Sequence, residues 1–171
     1  MTVTNAIALV KEFPEAIKYL DNPGDDVITV ALLEDPEVIK YIKYPSPGMQ
    51  LLAVKEAPHC IKHLSDPSEE CQMAAIKAAP TTIGYIHDPT DAVKALAVSL
   101  DGLAIWYLTN ASEDLQRLAV AKTPSVIKYV LYPTLDMQLS VIARRPELIE
   151  DINAPHPQVL ALHKFLTGIE A

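Results

Sequence analysis

The chain predicts an all-α solenoid of about seven 22-residue repeats, and three observations carry that reading. First, Pro14, Pro36, Pro58 and Pro80 lie 22 residues apart; Gly102, Pro124 and Pro146 fall on the next three beats. A second series at the same period runs Pro23, Pro45, Pro67, Pro89, Ala111, Pro133 and Pro155. Second, isoleucine stands three residues after every beat of the first series: Ile17, Ile39, Ile61, Ile83, Ile105, Ile127 and Ile149. Third, Ala31, Ala53, Ala75, Ala97 and Ala119 form a column of small residues. The frame has no insertion or deletion, and it predicts one repeat domain over residues 1–171 with a half repeat at its end.

Each repeat reads as a longer element and a shorter one. The longer follows the second-series position, as in "PSEECQMAAIKAAP" and "ASEDLQRLAVAKTP". Ser68, Thr90, Ser112 and Thr134 are suited to N-capping. Acids follow in the first turn, as in Glu69-Glu70 and Glu113-Asp114, where the helix dipole favours negative charge. Leu115, Leu118 and Ala119 have the spacing of a buried helical stripe. A helix of about ten residues, about 15 Å long, then stops before Pro124. Proline forces the residue before it out of helical geometry and cannot donate an internal bond.

The shorter element lies between the prolines, as in "PSVIKYVLYP". It is too short for a good α-helix. Ile127 and Val130, three apart, suit one or two turns of 3₁₀ helix or a very short α-helix. The alanine column lets neighbouring helices approach closely. Leu32, Val54, Ile76, Val98, Val120 and Ile142 fill the space beside it. No repeat buries both of its sides alone, so neighbours must stack.

The period is shorter than tetratricopeptide, ankyrin, HEAT or armadillo units. The stretch "DPSEECQMAAIKAAPTTIGYIHDP" resembles the leucine-rich repeat variant family. In that family a D-P turn leads into a short α-helix with an A-V-A-like segment, and a proline opens a 3₁₀ helix. The resemblance implies a right-handed superhelix of alternating α and 3₁₀ layers. Gln50, Gln72, Gln116 and Gln138 stand where the family often has arginine, and the iron–sulfur cysteine cluster of one branch has no counterpart. HEAT-like helical repeats are the alternative.

Composition bounds the function. Half of the 171 residues are hydrophobic, which suits a folded chain. The net charge of −8 argues against nucleic-acid binding, which needs a basic footprint, and leaves room for a basic protein partner. No apolar run reaches the ~20 residues of a membrane span. The start, "MTVTNAIALVKEF", has no basic segment or cleavage site of a signal peptide. Two cysteines make no disulfide framework, so a cytoplasmic, reduced protein is expected.

Catalytic patterns are scarce. There is no phosphate loop and no G-x-S-x-G elbow. His59 and His63, with His87 a repeat later, lack a third ligand and a second shell, so no metal site and no cofactor is expected. Cys60 and Cys71 share columns with Val38, Val126 and Leu148, or with Val93, Leu115 and Val159, and read as small buried hydrophobes. The acids are dipole partners rather than a general acid and base. No enzyme is expected.

The surface carries the functional expectation. Lys18, Lys40, Lys62 and Lys128 form a column beside Tyr19, Tyr41, Tyr85, Tyr107 and Tyr129. The plainer reading is a boundary position, with lysines in solvent and tyrosine rings packed. One repeat departs from the pattern: "SLDGLAIWYLTNAS" loses both prolines and places Trp106 in the lysine column, while Gly84 precedes it there. Two readings stand, a protein contact or a locally repacked core. The first expectation is a non-enzymatic scaffold that binds protein through Trp106, Tyr107, Tyr85, Leu103, Lys128, Lys62 and Lys40, with self-association as a variant. The second is an acidic decoy that blocks a basic nucleic-acid groove with its rim carboxylates. The weakest is nucleic-acid binding by the lysine and tyrosine ridge.

Overall fold

The computed structural model describes residues 2–169. Among them are eight α-helices: α1 (Val3–Glu12), α2 (Asp25–Glu34), α3 (Pro47–Glu56), α4 (Glu69–Ala78), α5 (Asp91–Leu100), α6 (Glu113–Lys122), α7 (Leu135–Arg144) and α8 (Pro157–Thr167). Between them lie seven 3₁₀ helices: η1 (Pro14–Tyr19), η2 (Pro36–Tyr41), η3 (Pro58–His63), η4 (Pro80–Tyr85), η5 (Gly102–Tyr107), η6 (Pro124–Tyr129) and η7 (Pro146–Asp151). The all-α repeat is therefore realised as seven α/3₁₀ units at a period of 22 residues.

The chain forms two compact units, residues 1–93 and 94–171. In the first, α1 packs on α2, α2 on α3 and α3 on α4, while η1 to η4 pack in the same order. In the second, α6, α7 and α8 pack in sequence, η5, η6 and η7 do likewise, and η5 lies against α6. Each unit thus has an α layer and a 3₁₀ layer, with neighbours stacked in sequence as in a solenoid.

The expected caps are in place. The hydroxyls of Ser68, Thr90, Ser112 and Thr134 accept from the N–H three residues on. Thr2 and Ser46 do the same at earlier beats. At the other end, the N–H before each first-series position closes the helix, as Ala57 N–H does on the Ala53 carbonyl at 2.8 Å. That residue is extended, at φ −142° and ψ 98° for Ala57, the region a following proline favours.

The 3₁₀ turn then begins at once. With three residues per turn, Pro36, Ile39 and Ile42 share a face. All seven isoleucines of the column are buried. So are the alanines from Ala31 to Ala119 and the aliphatics beside them. Each fully buried isoleucine contributes about 1.5–3 kcal/mol relative to an exposed one. Leu118 corrects the sequence-based stripe: it is exposed, because the buried positions are Leu115, Ala119 and Val120, and a residue three after Leu115 turns to the side.

The glutamine column adds a device that the sequence does not announce. The Nε2 of Gln50, Gln72, Gln116 and Gln138 donates to the carbonyl five residues back, at 2.8–3.1 Å. Those carbonyls belong to Pro45, Pro67, Ala111 and Pro133, so each amide ties the second-series turn to its own helix. Gln138 also accepts the His156 N–H at 3.0 Å through Oε1.

Candidate protein-interaction face

The 3₁₀ layer presents the lysine and tyrosine columns. In a six-residue 3₁₀ helix the buried isoleucine is followed by lysine and tyrosine on the next two positions, about 120° and 240° further around. Both columns reach solvent. Tyr19, Tyr85 and Tyr129 are half or more exposed, which departs from packed boundary rings. Lysines lie over Tyr19 and Tyr129, whereas Tyr85 follows Gly84 in the lysine column.

In the first unit, Lys18 Nζ sits 5.0 Å from the Tyr19 ring centre and 5.4 Å from that of Tyr41 in the next repeat. The amine is also hydrogen-bonded to Glu15 at 3.4 Å, which raises its pKa above the usual lysine value. Lys40 covers Tyr41 at 5.0 Å. Such cation–π contacts at exposed sites contribute about 0.5–1 kcal/mol. Lys62 is different: it pairs with Glu37 at 3.1 Å. Tyr85 stands exposed on the same layer of this unit.

In the second unit, Trp106 is 67% exposed, which excludes the reading in which it is a core residue. Its ring meets that of Tyr107 edge-on, centroids 5.3 Å apart. Leu103 and Tyr107 are also exposed. A groove of about 240 Å³ beside Trp106 is lined by Ile105, Tyr129 and Leu131 among others. Lys128 covers Tyr129 at 5.1 Å. The geometry therefore brings Trp106 and Tyr107 into contact, while Lys128 joins Tyr129.

Some exposed aromatics escape sequence reasoning. Tyr44 and Tyr132 are among the most exposed large side chains, and Lys43 covers Tyr44 at 5.2 Å. They stand just before the second-series proline, in a column that elsewhere holds asparagine, aspartate or alanine. An aromatic ring in a turn column was the available signal.

Glu37 is the other omission. Its Oε1 meets His59 Nε2 at 2.8 Å and Lys62 Nζ at 3.1 Å, and its Oε2 meets His63 Nε2 at 2.9 Å. The His63 hydrogen bond foremost holds the carboxyl down at about 2. The partners lie about one period away, so only the stacked frame reveals the cluster. His87 has no part in it. Cys60 and Cys71 are fully buried, and burial pushes both thiols up to about 11.

Among the described residues, no helix is long and apolar enough to cross a membrane. No protein-family model, curated protein or solved structure matches the chain.

Proposed function

We propose that this chain is a non-enzymatic repeat module that binds another protein through its 3₁₀ layer, with Leu103, Trp106, Tyr107 and Lys128 as the main patch of the second unit. The observation that carries the reading is the exposed, mutually touching pair Trp106 and Tyr107. Aromatic side chains of this size dominate interface energetics, and contiguous exposed apolar surface marks contact sites. Lys40, Lys62 and Tyr85 form a separate candidate patch on the first unit. The hydroxyls of Ser68, Thr90, Ser112 and Thr134 are engaged as caps and both thiols are buried, which supports binding over nucleophilic catalysis. The module is taken as leucine-rich-repeat-variant-like and as cytoplasmic. Replacing Trp106 by Ala and Lys128 by Glu and measuring capture of the partner tests the patch; unchanged capture removes it.

The acidic-decoy reading draws on a specific observation as well. Asp25, Asp26, Glu69 and Glu70 of the first unit, and Glu113 and Asp114 of the second, are exposed at helix starts. A complex made through them weakens steeply with salt, whereas one made through Trp106 is nearly salt-independent.

A further inference from the structure

We propose that Glu37, His59 and Cys60 form a Zn²⁺-binding site, with His63 positioning the carboxylate. This goes beyond the protein-binding reading, with which it shares Lys62. The sequence alone leaves the histidines without a third ligand; the stacking of η2 on η3 supplies one. One ligand atom each of Glu37, His59 and Cys60 lies within 4.8 Å of the other two. Carboxylate oxygen, imidazole nitrogen and thiolate sulfur are the donor types zinc takes, and three protein ligands leave a fourth position open to water.

The existing distances are close to what a metal needs. Ligands on tetrahedral zinc with bonds of about 2.0–2.3 Å lie about 3.3–3.6 Å apart. His59 Nε2 is already 2.8 Å from Glu37 Oε1, and the sulfur must close in by about 1.2 Å at most to reach the upper end of that spacing. His59 and His63 do not chelate alone: four residues along a 3₁₀ helix are splayed by about 120°. They reach opposite oxygens of one carboxylate instead. His63 therefore acts as a second shell, fixing Glu37 through Oε2 as outer partners of metal ligands do.

Lys62 also shapes the site. Its ammonium lies 3.1 Å from Oε1, the oxygen that faces His59, and so holds the place of a cation. The side chain is partly exposed and long enough to swing into solvent when zinc binds. Removing its charge strengthens zinc binding, an effect opposite to that of removing a ligand. A purely structural role for Lys62 does not give that sign.

The test uses the full chain, stripped with chelator. Zn²⁺ is titrated calorimetrically, and Co²⁺ is followed by its thiolate charge-transfer absorption. One equivalent is expected to bind, with the cobalt–thiolate band present. His59→Ala and Cys60→Val weaken binding by ~100-fold or more, His63→Ala by ~10-fold, and Lys62→Met tightens it several-fold. Valine at position 60 matches buried Val38 and Val126 in the same column, so that variant keeps the repeat packing. Circular dichroism confirms its fold. The proposal is overturned by no saturable binding, by binding without the cobalt–thiolate band, or by binding that His59→Ala and Cys60→Val leave within ~3-fold.

Discussion

A Cβ placed on Gly102 would lie 2.6 Å from the carbonyl oxygen of Ala119, and 2.7 Å from the Thr123 hydroxyl. Every other first-series beat is proline; this one is glycine because η5 sits against the end of α6 with no room for a side chain. Restoring the repeat's own residue here is therefore harmful. Gly102→Ala and Gly102→Pro are each expected to cost about 1–3 kcal/mol, from overpacking against backbone. Adding Thr123→Ala relieves only part of the loss, because the Ala119 oxygen remains. Denaturant midpoints of the three variants check this. A neutral Gly102→Ala contradicts the close approach.

The glutamine amides are not equivalent. Gln138 serves two backbone groups, the Pro133 carbonyl and the His156 N–H, whereas Gln72 Nε2 serves the Pro67 carbonyl and its buried Oε1 finds no partner among the described residues. Gln138→Leu leaves both groups unpaired and is expected to cost about 2–4 kcal/mol, from about 1–2 kcal/mol per group. Gln72→Leu is expected to cost less, about 1–2 kcal/mol, since it also removes an unsatisfied oxygen. Equal costs, read from urea unfolding, contradict this assignment.

Ala154 has φ +54°, in the left-handed region, and Asn22 and Asn110 of the same column adopt it too. Asparagine tolerates this conformation better than alanine, whose Cβ crowds its own backbone there. Ala154→Asn is expected to stabilise the chain by about 0.5–1 kcal/mol. The melting temperature should rise by a few degrees; a fall rules out the conformation.

Cys71 carries a thiol pushed up to about 11, chiefly by burial. A free thiol titrates near 8.5, so at about pH 8.5 half of an exposed cysteine is reactive thiolate. In the folded chain Cys71 should alkylate far more slowly than in urea, with its rate still climbing as pH rises towards the shifted value. Site-resolved mass spectrometry after iodoacetamide reads this directly. Equal rates in the folded and unfolded chain contradict the burial.

Much of the architecture was legible in the residues because the period is strict. In six of the seven repeats a proline opens the 3₁₀ helix and a second stands four residues beyond its end, and Ser68 or Thr134 marks the next α start, so local chemistry and frame agree. What stayed hidden depends on contacts across the period. Glu37 reads as an ordinary acid after a proline until η3 brings His59, Lys62 and His63 to it. Gln138 stands out in the sequence only as a glutamine where the resembled family often has arginine; its amide bond to the turn is seen only in the fold. The exposure of Trp106 was equally beyond spacing, since a tryptophan in a lysine column is consistent with a hot spot or with a repacked core. Leu118 failed because a spacing of three and a spacing of four look alike in a single helix of ten residues.

Equivalent positions in successive repeats carry equivalent load. Seven single Ile→Ala variants, at residues 17, 39, 61, 83, 105, 127 and 149, test it by denaturant unfolding. Losses of about 2–5 kcal/mol are expected, spread over the whole series. Large losses confined to two or three of these positions, with the others near zero, would instead describe a single central core and contradict it.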